Sequence, residues 1–132
     1  MDFYQGRVLR IDLGKATSSV EPLNMEWAEK YVGGKGLLLR YLWEEVPPKS
    51  DPWAPESPVI LMTGPFAGTN VTTASRLVVG CKSPATGILN DSYVGGSFAP
   101  EMKFAGYDAI IIKGESPEPV VVTVKDDVVS FV

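Results

Sequence analysis

The stretch GKGLLLRYLWEEV, residues 34–46, limits the fold more than any other part of the chain. Leu37, Leu38, Leu39, Tyr41, Leu42 and Trp43 dominate it, only Arg40, Glu44 and Glu45 offer a wet side, and Pro47-Pro48 stops it. A helix that is apolar around most of its circumference must be buried on more than one stripe. One small sheet covers one stripe, so the sequence predicts a second layer, supplied by this chain or by a partner.

The flanking segments read as follows. GRVLRIDL (6–13) sets Val8, Leu9, Ile11 and Leu13 among Arg7, Arg10 and Asp12, and Gly14-Lys15 turns it into TSSVEPL, which predicts a hairpin. Asn24 is the expected N-cap of the helix MEWAEKYV, with Glu26 and Glu29 in it and Gly33-Gly34 ending it. PPKSDPWAPESP (47–58) holds five of the 11 prolines and reads as an ordered, irregular loop anchored by Trp53. Strands are expected at PVILMTG (58–64), RLVVGCK (76–82) and DAIIIKG (108–114), a turn at SPATG followed by ILNDSYV (88–94), a helix at SFAPEMKFA (97–105), and a final hairpin at PVVVTVK-DD-VVSFV. Strands at both ends with three helices between them predict a single α+β domain over 1–132 with a mixed or antiparallel sheet; the strict alternation of a doubly wound fold is missing.

Net charge is −4, which disfavours a partner held by phosphate charge such as nucleic acid. No apolar run approaches the roughly 20 residues needed to cross a bilayer, and the expectation is a soluble, cytoplasmic protein. One cysteine and no histidine leave no internal disulfide, no iron-sulfur ligand set and no imidazole base. Catalysis therefore falls to a cofactor or to another chain.

Several segments could bind a ligand. VGGKG (32–36) lies between two helices; glycines before a helix N-terminus can cradle a phosphate, but the plainer reading is a helix-to-helix turn. The loop GPFAGTNVTTASR (64–76) offers Thr69, Asn70, Thr72, Thr73 and Ser75, and Arg76 can grip a phosphate with two donors, while the loop reads equally well as a solvated connection. Strand alternation places Leu77, Val79 and Cys81 on one face, which makes Cys81 a small core residue. Arg76 and Lys82 share the other face about 20 Å apart and cannot hold the same phosphate. In SYVGGSFAPEMKFAGYDAIIIKG (92–114), Ser97 is the expected N-cap, Pro100 fits the first turn, Phe98, Met102 and Ala105 form the packed side, and Gly106 suits the helix end. Helix construction leaves Gly95 and Gly96 unexplained, which favours a ligand there. Asp91, Glu101 and Asp108 fall on different elements and form no obvious acid–base pair.

The succession GRVLRIDL, YVGGKG, EEVPPKSDPWAPESP, TGPFAGT, SRLVVGCKSPATG and GGSFAPEMKFAGYDAIIIKGESPEPV resembles the N-terminal domain of the tungsten-containing aldehyde:ferredoxin oxidoreductase family. The resemblance runs over nearly the whole chain, and KSPxTG followed by GGxFxxExKxAGYDxIIIxG is its most specific part. It implies a domain forming the base for a bis-pterin cofactor of tungsten or molybdenum, with magnesium bridging the pterin phosphates. By resemblance, Arg76 and the loop with Tyr93, Gly95 and Gly96 contact the pterin, and the Tyr93 backbone carbonyl contributes to the magnesium site. Tyr93 stands where some members carry asparagine; a carbonyl is available from any residue.

Full-length members of that family are several times longer and carry the cluster cysteines and proton-transfer residues downstream. The resemblance therefore implies a fragment or split subunit of an enzyme that oxidises aldehydes to carboxylic acids with ferredoxin as acceptor, this chain supplying cofactor contacts and no catalytic residue. A larger catalytic subunit or a homo-oligomer is the expected partner, and ferredoxin is met only through the full enzyme. Two other readings stand beside it: a homodimeric module binding a pterin or another phosphate ester between two copies, and a structural remnant with no ligand. The strand VVSFV at the chain's end, without cap or polar tail, favours a truncated or partnered domain.

Overall fold

The computed structural model describes residues 3–132. Its elements in chain order are β1 (Arg7–Asp12), β2 (Thr17–Pro22), α1 (Met25–Tyr31), α2 (Gly34–Glu45), β3 (Val59–Thr63), β4 (Leu77–Lys82), β5 (Leu89–Val94), α3 (Phe98–Phe104), β6 (Ala109–Lys113), β7 (Val122–Lys125) and β8 (Val128–Phe131). Six strands form one sheet in the order β2-β1-β6-β3-β4-β5, and β7 and β8 form a separate hairpin. β1 and β6 run parallel, from Val8 opposite Ala109 to Asp12 opposite Lys113, while the other neighbours are antiparallel. The expected α+β class with a mixed sheet and three helices is what forms.

Strand alternation splits the core in two. Val8, Ile60, Met62, Val78, Ala109 and Ile111 face α1 and α2, and the alternating Leu9, Ile11, Leu77 and Ile110 face α3 and the β7–β8 hairpin. Because both faces of the central strands are covered, VILMT and AIIIK read as continuous apolar runs. The hairpin is fastened to the body by Arg7 pairing with Asp127 and by the Tyr107 hydroxyl donating to the Asp126 carbonyl at 3.0 Å.

Asn24 caps α1 as expected: its Oδ1 accepts from the Trp27 N–H at 3.0 Å, while its own N–H donates to the Tyr41 hydroxyl at 3.0 Å and so ties α1 to α2. α2 rests directly on β4, where a Cβ at Gly80 would lie 2.5 Å from Leu38 Cδ2. The six-stranded floor together with α1 buries Leu37, Leu38, Tyr41 and Leu42. It leaves Trp43 81% exposed and Leu39 37% exposed, so this chain supplies most of the cover the helix needs but not all of it.

Four local expectations are corrected. Ser97 sits at the N-cap of α3 but makes no side-chain cap bond: at φ −90° and ψ −12° it is already turned into the helix, whereas capping needs an extended residue there. The packed side of α3 is Ala99, Met102 and Lys103, and Phe98 at the helix entrance is exposed. Cys81 is only half-buried, because the layer above that face covers Leu77 and thins along β4. Trp53 is 78% exposed and anchors nothing. Backbone acceptors fasten that loop instead: Ser50 takes Lys82 Nζ at 2.6 Å and Pro55 takes the Gly114 N–H at 2.7 Å.

Gly106 ends α3 as expected, at φ +95°, with its N–H on the Lys103 carbonyl at 3.0 Å and the Tyr107 N–H on the Met102 carbonyl at 3.1 Å. Among the described residues no helix is long and apolar enough to cross a membrane.

Candidate functional site

Register gathers the glycine-bearing segments at one end of the sheet. The β4–β5 ladder closes with Leu77 opposite Val94, so the next residues outward, Arg76 and Gly95, leave the sheet side by side. The β3–β4 ladder closes with Thr63 opposite Leu77, which sets Gly64 on the other flank of Arg76. Gly33 backs onto that same end: a Cβ there would lie 3.0 Å from Pro65 Cδ, 3.2 Å from Gly64 Cα and 3.2 Å from the Thr63 carbonyl oxygen. The N-terminal end of α2, with its partial positive charge, therefore faces the same region as Arg76 and the glycine pair.

Three of the four expected site residues, Arg76, Gly95 and Gly96, thus meet at this end, and Tyr93 stands two residues inside it, opposite Val78. Arg76 is exposed and, among the described residues, has no carboxylate partner and no side-chain hydrogen bond. Every residue from Ser92 to Phe98 is exposed. A Cβ at Gly95 or Gly96 would meet nothing within 4 Å, so no crowding inside this chain calls for glycine at either position; at Gly96 the φ of +91° does.

The polar loop before β4 divides its hydroxyls. Thr69 Oγ1 donates to the Phe66 carbonyl at 2.7 Å, Thr73 Oγ1 donates to the Thr72 carbonyl at 2.6 Å, and Ser75 Oγ accepts from the Gly68 N–H at 3.4 Å. Those three shape the loop, leaving Asn70 and Thr72 exposed at its surface. No group of three His, Cys, Asp or Glu side chains is placed to hold a metal ion among the described residues.

One contact at this end was not anticipated from the sequence. Lys35 Nζ pairs with Asp91 Oδ1 at 3.0 Å, bridging the first turn of α2 to β5. The hydrogen bond to Asp91 and its charge raise the Lys35 pKa above the ordinary lysine value. Fifty-six positions separate the two residues, and only the α2–β4–β5 packing brings them together.

The family model for the aldehyde ferredoxin oxidoreductase N-terminal domain matches residues 8–132. The chain belongs to this family. Among similar proteins, the tungsten-containing aldehyde ferredoxin oxidoreductase of Thermococcus kodakarensis is 43% identical over 122 residues, 92% of this chain and 20% of that protein. The enzyme of the same name from Pyrococcus horikoshii is 41% identical over 124 residues, 94% of this chain and 20% of that protein. The aliphatic sulfonate oxidoreductase WOR-like subunit of Pyrococcus furiosus is 32% identical over 131 residues, 97% of this chain and 21% of that protein. Among solved structures, the active site complex BamBC of benzoyl coenzyme A reductase, with 1,5-dienoyl-CoA, superposes with a TM-score of 0.95 at 38% identity, covering 98% of this chain and 20% of that one. This aldehyde ferredoxin oxidoreductase N-terminal domain thus spans about a fifth of the length of the proteins it matches.

Proposed function

We propose that this domain is the tungstopterin-binding base of an oxidoreductase that converts aldehydes to carboxylic acids with ferredoxin as electron acceptor, the rest of the cofactor cradle lying on chain beyond these 132 residues or on another subunit. The observation that carries this reading is the meeting of Arg76, exposed and without an ion-pair partner among the described residues, with the open backbone of Gly95 and Gly96 at one sheet end. Relatives that share the domain are named for an aldehyde, a sulfonate and benzoyl coenzyme A. A domain common to such different substrates serves what those reactions share, which is the cofactor side.

The residues present fit a phosphate-bearing pterin. Arg76 offers a planar fork of donors to phosphate oxygens, and Gly95 and Gly96 let a ligand approach the backbone without a side chain between. Magnesium, a hard cation that keeps several waters, would take the Tyr93 carbonyl together with ligand phosphates; a side-chain carboxylate cage is not required. A bound tungstopterin, or its molybdenum counterpart, would supply the two-electron redox chemistry by which an aldehyde and water become an acid, two protons and an electron pair. This chain's own part is orientation and charge compensation, in keeping with a sequence that has no histidine.

The resemblance to BamBC favours a second reading, in which the same cofactor base belongs to an enzyme acting on a coenzyme A thioester. Both readings require the pterin site. The test is the tungsten and molybdenum content of protein purified from its own host. Arg76→Ala, which removes a charged phosphate contact, and Gly95→Ala, which puts a side chain between ligand and backbone, should each lower metal per chain by about tenfold or more while leaving the melting temperature of the cofactor-free chain unchanged. Metal content unchanged in both variants would remove this sheet end from the cofactor site.

A further inference from the structure

The VGGKG turn supplies none of the proposed ligand contacts, yet its geometry is unusual. Val32 holds φ +66° and ψ −60°, a conformation rare for a β-branched residue, and the Gly33 N–H closes a tight turn onto the Tyr31 carbonyl at 2.8 Å. Gly33 lies against Thr63, Gly64 and Pro65, and a Cβ at Gly36 would stand 2.8 Å from the Tyr31 carbonyl oxygen. A side chain at Gly33 would push the start of α2 away from the end of β3, and one at Gly36 would push its first turn off the end of α1. The glycines bring that turn close, and Lys35 is the side chain that the close approach delivers to Asp91.

We infer that Lys35 is a positioning residue: through Asp91 it holds the edge strand β5 so that Tyr93, Gly95 and Gly96 present their backbone at the phosphate-binding end. The role rests on the reading of that end as the pterin site. β5 has a single neighbour in the sheet, β4. Leu89 at its start packs against the core, and from Ser92 onward every residue is exposed. Asp91 stands between the two, its side chain 18% exposed, opposite the Gly80 on which α2 rests. Among the described residues the bond to Lys35 is the one ion pair that reaches β5, and the last side-chain tether before the glycine pair.

Partly exposed pairs add little to global stability, because water and salt screen them. Such a pair at the free end of an edge strand acts locally: it decides how often the strand opens, hence how well its last backbone groups are ordered for a ligand. Tyr93, two residues beyond Asp91 and on the same strand face, is the first to feel its loss.

Hydrogen–deuterium exchange of the ligand-free chain tests this directly. Lys35→Gln and Asp91→Asn should each speed exchange at Ser92–Val94 by about two- to fivefold, the range set by an exposed ion pair, while Lys35→Arg restores protection. Exchange unchanged at Ser92–Val94 overturns the inference. So does a rise spread equally over β3 and β6, which would mean general loosening. Metal content read on the same variants adds a further arm: if Lys35→Gln loses metal and Asp91→Asn keeps it, Lys35 touches the ligand itself and the positioning role is wrong. Should Arg76→Ala and Gly95→Ala both keep their metal, the pterin reading fails, while the exchange result still decides what Lys35 does to β5.

Discussion

Lys103 of α3 and Asp108 just before β6 form an ion pair, Nζ to Oδ1 2.6 Å, with side chains only 4% and 3% exposed. Further hydrogen bonds anchor both side chains. Lys103 also donates to the Phe3 carbonyl at 2.7 Å, and Asp108 accepts the N–H of Gln5 at 3.1 Å and of Gly6 at 2.7 Å. The pair thereby clips the segment ahead of β1 to the turn between α3 and β6. Replacing Lys103 with Met leaves a buried carboxylate without its cation, a change that costs about 3–5 kcal/mol. Urea unfolding should show a lower midpoint at unchanged slope, and an unshifted midpoint would show that the clip holds nothing.

Two glycines of the β4–β5 pair should respond in opposite ways to alanine. At Gly80 the new methyl would sit 2.5 Å from Cδ2 of the fully buried Leu38 and 3.3 Å from the Asn90 carbonyl oxygen, so Leu38 must shift within the core. Overpacking of this kind costs about 1–3 kcal/mol. At Gly95 the methyl meets open space, and stability should stay within about 0.5 kcal/mol of the parent. Thermal melts of Gly80→Ala and Gly95→Ala, run side by side, check both.

Glu45, at the C-terminal end of α2, accepts Arg10 Nη2 at 2.6 Å and pairs with Lys113. Burial pushes its carboxyl pKa up, but the hydrogen bonds from Arg10 and Lys113 outweigh burial and hold it below the ordinary glutamate value. A pKa depressed in the folded state gives stability that is fully present above the unfolded pKa, roughly 4.3, and lost as pH falls through the folded one. The melting temperature should therefore be insensitive to Glu45 above about pH 5 and fall below about pH 4. Glu45→Gln should cost on the order of 1–2 kcal/mol at neutral pH, because both cations stay partly wet, and should flatten the acid limb. A limb of equal steepness in the variant would assign it to other carboxylates.

Leu38 and Trp43 lie on the same helix but in opposite settings, 0% and 81% exposed. Leu38→Ala should cost about 2–5 kcal/mol through the cavity it leaves. Trp43→Ser should change stability by less than about 0.5 kcal/mol in this chain. Denaturation midpoints of the two variants check the contrast, and a large loss for Trp43→Ser would show that the helix is seated differently.

Local chemistry explains what the sequence allowed to be read. Asn24 with its helix, the β1–β2 hairpin and Gly106 at the end of α3 depend on neighbours a few residues away. Lys103 is absent from the packed side that the sequence predicts for α3, because burying a lysine makes sense only once its carboxylate is known to lie against it, and Phe98 is included there because size is a poor guide to burial at a helix entrance. Trp53 failed for the same reason. At the sheet end, Arg76, Gly95 and Gly96 stand out from local chemistry, as a forked donor and as glycines that helix construction does not explain, while Tyr93 and the pterin itself come only from the resemblance. That Arg76 and Gly95 leave the sheet together follows from strand register, which no single segment encodes. Lys35 and Asp91 went unpaired because their meeting depends on α2 crossing β4.

The strand order carries a consequence for synthesis. β6 lies between β1 and β3, although it is made after every other strand of that sheet. While the ribosome adds the residues from Asp12 to Ala109, roughly 5–20 seconds of translation, β1 has an inner edge with nothing to pair it, and from Thr63 onward so does β3. A nascent chain in that interval is two half-sheets with open edges, the form most prone to pair with a stranger. Arrival of AIIIK closes both edges at once, so this domain completes its centre last.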